Sequence, residues 1–444
     1  MISISEAFEI IEREIILLDA ETVDLNQSVG RVLAREIRAD IDLPPFDRSQ
    51  MDGFALKTND VEDASEKNSV KLKIAGESVA GKGFNTKIKQ GEAVRIMTGA
   101  RVPEDADAVQ KKELAREFAD ANGEIFVEVF QATKAFQNIV LKGAEIETGE
   151  KVFDKGEIIG AQMIAPLASF GCAAIEVFQK PRVSILATGS EIVGVRETPE
   201  LDQIRDSNSW SLKAFAENAG AIVDVLPRVK DDFENLKLQI AKAVGLEKQL
   251  RIADDELRKK GSSRLRITNS KTKNQSKIQN PKSKILILSG GVSVGDYDFT
   301  KPALRDLGAE IFFERVALRP GKPTVFARLN DTLIFGLPGN PVSVAVTFFL
   351  FARAALLKMQ GAKNYKLKSG FAVLAQKIKG AKERDSFLPA TIETNSKGKL
   401  VASVSFGGSS NFIAFARADC LVFVPRDENL EAGAVVKILF LPRK

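Results

Sequence analysis

Residues 283–298 read SKILILSGGVSVGDYD and join a short apolar run to a glycine-rich turn. The run 285–288 contains only Ile and Leu, which is typical of a buried strand in a parallel sheet. Glycines after such a strand permit a tight turn and a close approach of the backbone to a ligand at the carboxyl edge of the sheet. The turn therefore predicts a site for phosphate or another oxyanion, formed by Ser289, Gly290, Gly291 and Ser293. A tight turn that binds no ligand is the alternative.

The same strand, loop and helix pattern recurs about four times around this stretch. It appears in VSILATGSE, in AIVDVLPRVKDD and in DTLIFGLPGNPVS, where Pro341 is placed to open a long apolar helix. Such repetition predicts a doubly wound α/β domain, in which the loops following the strands meet at one edge. These loops and the nearby segment RPGKP bring together candidate carboxylates and cations, namely Glu191, Asp231, Asp298, Arg319 and Lys322.

The remainder of the chain has other periodicities. Ser3 and Glu6 are spaced as a capping box at the start of an amphipathic N-terminal helix. Residues 70–130 alternate apolar and polar residues between glycine-rich turns, which predicts a small β-rich domain. Residues 159–170 have helical spacing. Residues 369–441 again alternate, and we predict a small β-barrel or sandwich there.

Two absences in the composition exclude whole classes of chemistry. The 444 residues include no histidine and only two cysteines. Catalysis by Ser-His-Asp or Cys-His groups, His-ligated metals, structural zinc and a disulfide framework are therefore excluded. Carboxylates remain as metal ligands, and Mg²⁺ is the natural metal for them. We expect a cytoplasmic protein, because the N-terminus is too charged for a signal peptide and the apolar run 342–357 is too short to span a bilayer comfortably.

One basic segment accounts for the positive sign of the net charge, which is +5 for the whole chain. Residues 258–284 contain ten Lys or Arg and no acid, so removing these charges leaves −5 for the rest of the chain. The segment is also rich in Ser, Asn and Gln, which is typical of a solvated, disordered loop. Because aromatic residues are not interleaved with these cations, nucleic acid is the alternative and not the expected partner.

Six motifs occur in an order that resembles a known family. PFDRSQMDGFAL, RIMTGA, ATGSE, SGGVSVGDYD, RPGKP and GLPGNPVS are similar to the motifs of the molybdenum insertases, or molybdopterin molybdenumtransferases. This is the MoeA-like family, which includes the gephyrin E domain. The resemblance covers essentially the whole chain except the basic segment, and SGGVSVGDYD together with GLPGNPVS is its most specific part.

The resemblance implies an α/β multidomain protein with four domains. They are an elongated discontinuous domain (1–45 and 147–178), an inserted β-rich domain (46–146), an α/β molybdopterin-binding domain (179–362, with the basic insert at about 258–283) and a C-terminal β-barrel-like domain (363–444). It also implies a homodimer whose site is shared between subunits. The implied reaction inserts molybdate into adenylylated molybdopterin with Mg²⁺ and releases AMP. Molybdopterin adenylyltransferase and proteins of molybdoenzyme maturation are further candidate partners, and no membrane is expected.

The resemblance also assigns roles to individual residues. Asp52 and Thr98, which ordinary turns would also explain, resemble a contribution from the partner subunit. Glu191, Asp231 and Asp298 resemble acids that hold metal and nucleotide. The Ser289 loop resembles a phosphate cradle. The resemblance further implies an oxyanion pocket for molybdate and the loop that shapes it, formed by Arg315, Arg319, Lys322, Ser343, Ser409, Pro338 and Pro341.

The chain departs from the family pattern at several of its polar positions. Ala144 and Glu145 stand where the family commonly has two acids, the second of them Asp. Arg315 and Arg319 stand where some members have lysines, and a planar guanidinium binds anions differently from a point charge. Pro389 replaces an expected arginine of the C-terminal domain, which puts anion binding there in question; Arg384 is the candidate to compensate.

Two rival functions share the fold. Molybdopterin adenylyltransferase uses the same α/β domain, but it does not need the large flanking β domains. A non-catalytic scaffold, the role gephyrin has in anchoring receptors, would not need acids at every strand end. Both rivals are therefore secondary to the hypothesis of an insertase.

Overall fold

The structure is a computed structural model that describes residues 1–246, 284–292 and 299–442. The chain divides into two compact units. The first, here called the α/β–barrel unit, comprises Met1–Arg35, Lys155–Gln162 and Ala174–Lys444. The second, here called the β-rich unit, comprises Glu36–Asp154 and Met163–Ala173. This division is coarser than the four predicted domains, whose boundaries stay a prediction.

The helices of the described residues are mostly short. They are α1 Ile4–Glu14, α2 Ile164–Ser169, α3 Asn208–Asn218, α4 Phe233–Ala243, α5 Thr300–Asp306, α6 Pro341–Thr347, α7 Arg353–Met359 and α8 Phe412–Phe415. A π-helical segment, Phe348–Ala352, joins α6 to α7. Ser3 and Glu6 form the predicted capping box of α1, and Pro341 is the first residue of α6 as predicted.

The strands fall into two groups along the chain. Before residue 160 they are β1 Ala20–Asp24, β2 Ile37–Arg38, β3 Arg48–Ser49, β4 Gly53–Leu56, β5 Val70–Ser78, β6 Glu92–Ile96, β7 Ala108–Lys111, β8 Ala115–Ala119, β9 Ile125–Val129, β10 Ile139–Val140 and β11 Lys151–Phe153. Later strands are β12 Ala174–Phe178, β13 Arg182–Ala187, β14 Ile192–Val193, β15 Ile204–Arg205, β16 Ile222–Val225, β17 Ile285–Ser289, β18 Glu310–Phe313, β19 Leu318–Arg319, β20 Val325–Leu329, β21 Thr332–Leu337, β22 Ser369–Leu374, β23 Ile378–Lys379, β24 Asp385–Thr394, β25 Leu400–Val404, β26 Cys420–Val424, β27 Asn429–Leu430 and β28 Val435–Phe440.

The β-rich unit is built on one six-stranded sheet with the order β7-β4-β6-β5-β9-β8. The entering chain pairs with the leaving chain, because β3 lies antiparallel to β10 and β2 lies antiparallel to β11. The two segments that lead into and out of the six-stranded sheet are therefore held together by strand pairing. The predicted β-rich character of residues 70–130 is confirmed.

The sheet of the α/β domain has the order β16-β13-β17-β21-β20-β18. Its first four strands are parallel, and β20 and β18 complete one edge as antiparallel strands. Alternate residues of β17 belong to different hydrophobic clusters. Ile285 and Ile287 pack with α3 and α6, whereas Leu286 and Leu288 pack with α4 and α5. Helices cover both faces, so the predicted doubly wound α/β domain is confirmed.

The apolar segment Pro341–Met359 forms one continuous helical stretch of 19 residues. By length and hydropathy alone it could cross a bilayer, yet its most apolar window is 89% buried within the protein. The Phe rings of its π-helical part lie in the same cluster as α3. The burial identifies this stretch as a core helix.

The C-terminal strands close into a barrel. The order β24-β25-β22-β28-β26 returns to β24 through a direct β24–β26 pairing. Closure leaves no free strand edge among these five strands. Of the two architectures that the sequence left open here, barrel and sandwich, the barrel is correct.

Two local predictions need correction at their boundaries. Most of the predicted helical range 159–170 is helical, since a 3₁₀ turn at Ala161–Met163 leads directly into α2. The helical segment starts two residues late, because Ile158 bridges Val32 and the Ile159 N–H donates to Arg31 O. The sequence AIVDVLPRVKDD predicts a strand that ends at Asp231-Asp232, but the observed strand ends at Val225. Pro227 follows two residues later, and a proline cannot donate a ladder hydrogen bond.

Candidate functional site

Three parallel strands of the α/β domain end side by side. Ala187 of β13 is level with Ser289 of β17, which is level with Leu337 of β21. Two hydrogen bonds tie the loops that follow: Thr188 N–H donates to Ser289 O (3.0 Å), and Gly290 N–H donates to Leu337 O (3.3 Å). The loops ATGSE, SGGV and LPGNP therefore meet at the carboxyl edge, where open α/β sheets bind ligands.

The turn after β17 requires glycine at both positions. Gly290 has φ +93° and Gly291 has φ +62°. A Cβ on Gly290 would lie 2.4 Å from the Thr188 carbonyl oxygen. A Cβ on Gly291 would lie 2.8 Å from Thr188 Oγ1 and 2.9 Å from Thr300 Oγ1. Close approach of three segments, and not only backbone freedom, explains the glycine pair that the sequence singled out.

Asn208 joins two of these loops, and the sequence analysis missed it. Its Nδ2 lies 3.1 Å from Ser289 Oγ and 2.7 Å from Gly339 O. Asn208 opens α3, while the backbone cap of that helix comes from Asp206, whose Oδ1 accepts from Ser209 N–H (3.0 Å). The available signal was the run Asp206-Ser207-Asn208 at the start of α3: the helix needs one polar side chain as a cap, and Asp206 supplies it, so Asn208 is available for another contact.

The predicted acids Glu191 and Asp231 flank Ser190. Ser190 N–H donates to Asp231 Oδ2 (3.0 Å), and Asp231 N–H donates to Ser190 Oγ (3.1 Å). The Glu191 carboxylate folds back over Gly189, whose added Cβ would lie 2.6 Å from Glu191 Oε2. Asp232 has a different role, because its Oδ1 caps α4 by accepting from Glu234 N–H and Asn235 N–H.

Asp298 and Ser293 lie outside the described residues, so their predicted roles stay predictions. Within the described ranges no group of three His, Cys, Asp or Glu side chains is close enough to hold a metal. Glu191 and Asp231 nonetheless offer only oxygen donors on adjacent loops, and such a donor set fits Mg²⁺ better than a soft metal.

The predicted cations lie on the segment that leads to the barrel. The Arg319 guanidinium lies over the Phe406 ring (5.6 Å to the centroid), and its Nη1 donates to Lys379 O (3.4 Å). Lys322 and Arg315 are exposed. The RPGKP loop packs on α6, since a Cβ on Gly321 would lie 2.4 Å from Thr347 Cγ2.

The barrel contacts the LPGNP loop through Ser409. Ser409 O accepts from Val342 N–H (3.0 Å), and Asn340 Nδ2 lies 2.9 Å from Ser409 Oγ. The Val342 N–H is in the first helical turn, where backbone donors lack an intrahelical acceptor. Ser343, the next residue, is buried in the same turn of α6, which begins at Pro341. Pro338 is also buried and directly follows β21.

The departure at Pro389 also has a structural setting. Pro389 is buried in β24 opposite Leu421, and its carbonyl accepts from Ser405 N–H (3.0 Å). Arg384, the candidate to compensate, is half-buried in the turn before β24, where it forms a bridge with Ala381. The residue at 389 thus serves barrel packing.

In the β-rich unit, Asp52 and Thr98 contact each other. Asp52 Oδ1 accepts from Thr98 N–H (2.8 Å) and from Thr98 Oγ1 (2.7 Å), and Lys112 Nζ lies 3.8 Å from Oδ2. The hydrogen bonds from Thr98 lower the pKa of Asp52 below its usual value. Asp52 is therefore a fixed carboxylate at neutral pH, held on two adjacent turns.

Comparisons with known proteins agree along the chain. Three family models match: the MoeA N-terminal region (domain I and II) over residues 2–171, a probable molybdopterin binding domain over 264–358, and the MoeA C-terminal region (domain IV) over 372–441. The molybdopterin molybdenumtransferase of Staphylococcus aureus (strain COL) is 33% identical over 99% of this chain and 95% of that relative. The enzyme of the same name from Bacillus subtilis (strain 168) is 32% identical over 95% of this chain and 90% of that relative.

Solved structures agree with the sequence relatives. Two crystal structures of the molybdopterin biosynthesis MoeA protein from Pyrococcus horikoshii align with TM-scores of 0.77, at 29% and 26% identity. Each covers 99% of this chain, and the alignments span 99% and 100% of those chains. The resemblance inferred from the six motifs is confirmed, and the chain belongs to the MoeA family of molybdopterin molybdenumtransferases.

Proposed function

We propose that the protein completes molybdenum cofactor synthesis by inserting molybdate into adenylylated molybdopterin, with release of AMP. The observation that carries the proposal is the convergence of three glycine-rich strand-end loops beside two carboxylates, in a chain of this family. Such an edge offers backbone N–H groups and hydroxyls to phosphate oxygens, and carboxylates to a cation.

The acids of the ATGSE and VKDD loops are assigned to a magnesium site. Glu191 and Asp231, together with Asp298, would hold Mg²⁺ through oxygen ligands. When bound, Mg²⁺ supplies charge neutralisation for the pyrophosphate of the substrate. The chain itself would orient that pyrophosphate through the Gly291 N–H and the Ser289 hydroxyl, because the Gly290 N–H already donates to Leu337 O. This would fix the scissile bond relative to the incoming molybdate.

The cationic segment is assigned to molybdate, which is a substrate of the reaction. Arg315, Arg319 and Lys322 would attract the oxyanion, and Ser343 and Ser409 would add hydroxyl donors. The packing of the RPGKP loop on α6, and of Ser409 on the LPGNP loop, supports their acting as one pocket. Binding of molybdate would thereby occur beside the dithiolene that receives the metal.

Assembly and location extend the proposal. The protein would act as a homodimer in the cytoplasm, with Asp52 and Thr98 of one subunit contributing to the site of the other. The fixed Asp52 carboxylate supports a polar role for these turns. Molybdopterin adenylyltransferase would supply the substrate, and proteins that mature molybdoenzymes would receive the product.

The test is AMP release from adenylylated molybdopterin at fixed Mg²⁺, with and without molybdate. Two adjacent carboxylates give a matched pair of variants. D231N removes a predicted metal ligand, whereas D232N keeps the α4 cap, because Asn caps helices about as well as Asp. We expect molybdate-dependent release by the wild type and D232N, and a loss of roughly a hundredfold or more in D231N.

Three results would contradict the proposal. Equal rates for D231N and D232N would remove Asp231 from the site. Release that does not depend on molybdate would exclude insertion as the reaction. No release from a folded wild-type protein would favour a non-catalytic scaffold.

A further inference from the structure

Ser289 is a buried serine whose hydroxyl donates to no group among the described residues. The residue closes β17 and is 2% exposed, and its Oγ lies 3.1 Å from Asn208 Nδ2. A hydroxyl has one proton to donate and two lone pairs to accept with, so the direction of this one contact determines what the proton can reach.

The direction follows from the second contact of the same amide atom. Asn208 Nδ2 lies 2.7 Å from Gly339 O, and a backbone carbonyl only accepts hydrogen bonds. The atom at this position must therefore be the amide nitrogen, which carries two protons. One proton is donated to Gly339 O and the other to Ser289 Oγ. Ser289 is the acceptor in this pair, and its own proton has no acceptor in the part of the chain that the structure describes.

Further hydroxyls at the same turn lack partners. Within residues 1–246, 284–292 and 299–442, Thr188 Oγ1 and Thr300 Oγ1 are buried without a hydrogen-bond partner, and both lie close to the position that a Gly291 Cβ would take. Buried hydroxyls are normally satisfied, and exceptions call for an explanation. Three uncommitted hydroxyl groups around one glycine turn fit a site that donates hydrogen bonds to an oxygen-rich ligand.

We propose that Asn208 is a positioning residue that directs the Ser289 hydroxyl proton toward the oxyanion bound at the Gly290-Gly291 turn. By occupying one lone pair of Ser289 Oγ, the amide restricts rotation of the hydroxyl and keeps its proton away from the carbonyl groups of the loop edge. The inference rests on the proposed function for the identity of the oxyanion, which is the pyrophosphate of adenylylated molybdopterin. The same amide holds the SGG and LPGNP loops at a fixed separation.

A double-mutant cycle tests whether Asn208 acts through Ser289. The variants are N208A, N208D, S289A and the two double variants, with N218A and N218D as controls at the exposed far end of α3. N208D keeps the side-chain shape but presents an acceptor to Ser289, so it should draw the proton away from the ligand. The measurements are the Kd for adenylylated molybdopterin, the kcat for AMP release and the urea midpoint of each variant.

In the chain that keeps Ser289, we expect N208A to weaken binding or lower kcat by about tenfold, and N208D to have a larger effect. In the S289A background, both changes should have effects at least threefold smaller, because the hydroxyl they direct is gone. The control variants should match the wild type. The urea midpoint separates stability from function, since a merely structural Asn208 would lower it equally in both backgrounds with no coupling in Kd or kcat.

Each outcome has a defined meaning. Equal losses in both backgrounds would overturn the inference and leave the proposed function standing. Coupling in Kd together with absent AMP release would support Asn208 as a positioning residue and overturn the proposed reaction. A milder effect of N208D than of N208A would overturn the proton direction.

Discussion

Replacing Gly290 by alanine should separate two strand-end loops of the α/β domain. The added Cβ would lie 2.4 Å from the Thr188 carbonyl oxygen, and the backbone at Gly290 has φ +93°. The first effect is a backbone contact that no side-chain rotation relieves. The second is a conformation that costs a residue with a Cβ about 1–3 kcal/mol. Together with the displacement of the loop, we expect the free energy of unfolding to fall by about 2–4 kcal/mol.

Two neighbouring glycines provide a graded comparison. A Cβ on Gly339 would meet nothing closer than Gly290 Cα at 3.9 Å, so G339A should change the free energy of unfolding by less than about 0.5 kcal/mol. G291A should be intermediate. Its φ of +62° is strained for alanine, but the contacts at 2.8 and 2.9 Å are with threonine hydroxyls that can rotate away.

Urea unfolding followed by fluorescence can measure this order. The chain contains a single tryptophan, Trp210, which lies in α3 next to the glycine loops and is 52% exposed. The signal therefore reports on the α/β domain. We expect the urea midpoint to be lowest for G290A, higher for G291A and highest for G339A, which should be close to wild type. Equal midpoints for G290A and G339A would refute the argument that close approach to Thr188 requires glycine.

Three further predictions concern titratable groups. T98V removes one donor to Asp52 and should raise the pKa of that carboxyl toward its ordinary value, which carboxyl NMR would detect; an unchanged pKa would contradict the contact. Hydrogen bonds from Thr148 and from Lys142 lower the pKa of Asp42 to about 2. This stabilisation is present above the unfolded pKa near 4 and is lost as the pH falls toward 2, so the wild type and D42N should differ in urea midpoint at pH 6 and converge near pH 2. Burial raises the pKa of Cys420 to about 12, so a thiol reagent should label the half-buried Cys172 in the native protein and reach Cys420 only after unfolding.

The sequence predicted correctly those elements that are determined by residues close together in the chain. The apolar run at 285–288 became β17, the Ser3–Glu6 spacing became a capping box, and Pro341 opened α6. In each case the determining residues lie within a few positions of one another. The glycine pair was also located correctly, because a turn after a buried strand has few sequence solutions.

Features that depend on distant segments were missed or misjudged. Asn208 contacts Ser289 and Gly339, which are 81 and 131 residues away, so no spacing in the sequence reveals the bridge. Ile159 belongs to a run with helical spacing, yet its backbone pairs with Arg31 and the helical segment begins at Ala161, an example of tertiary context overriding local preference. The predicted roles of the acids and cations depend on ligands and stay predictions.

The contact between the barrel and α6 limits how this protein could be divided. Phe415 of the barrel region lies 6.5 Å from Phe215 and 6.3 Å from Phe349, between ring centroids, and Ser409 O pairs with the Val342 N–H at the start of α6. An α/β domain excised from the chain would lose an aromatic wall of its core and a hydrogen bond of its central helix. The C-terminal region is therefore not a detachable module. Gene truncation or recombination at this boundary would have to supply both a replacement apolar surface and a new helix cap.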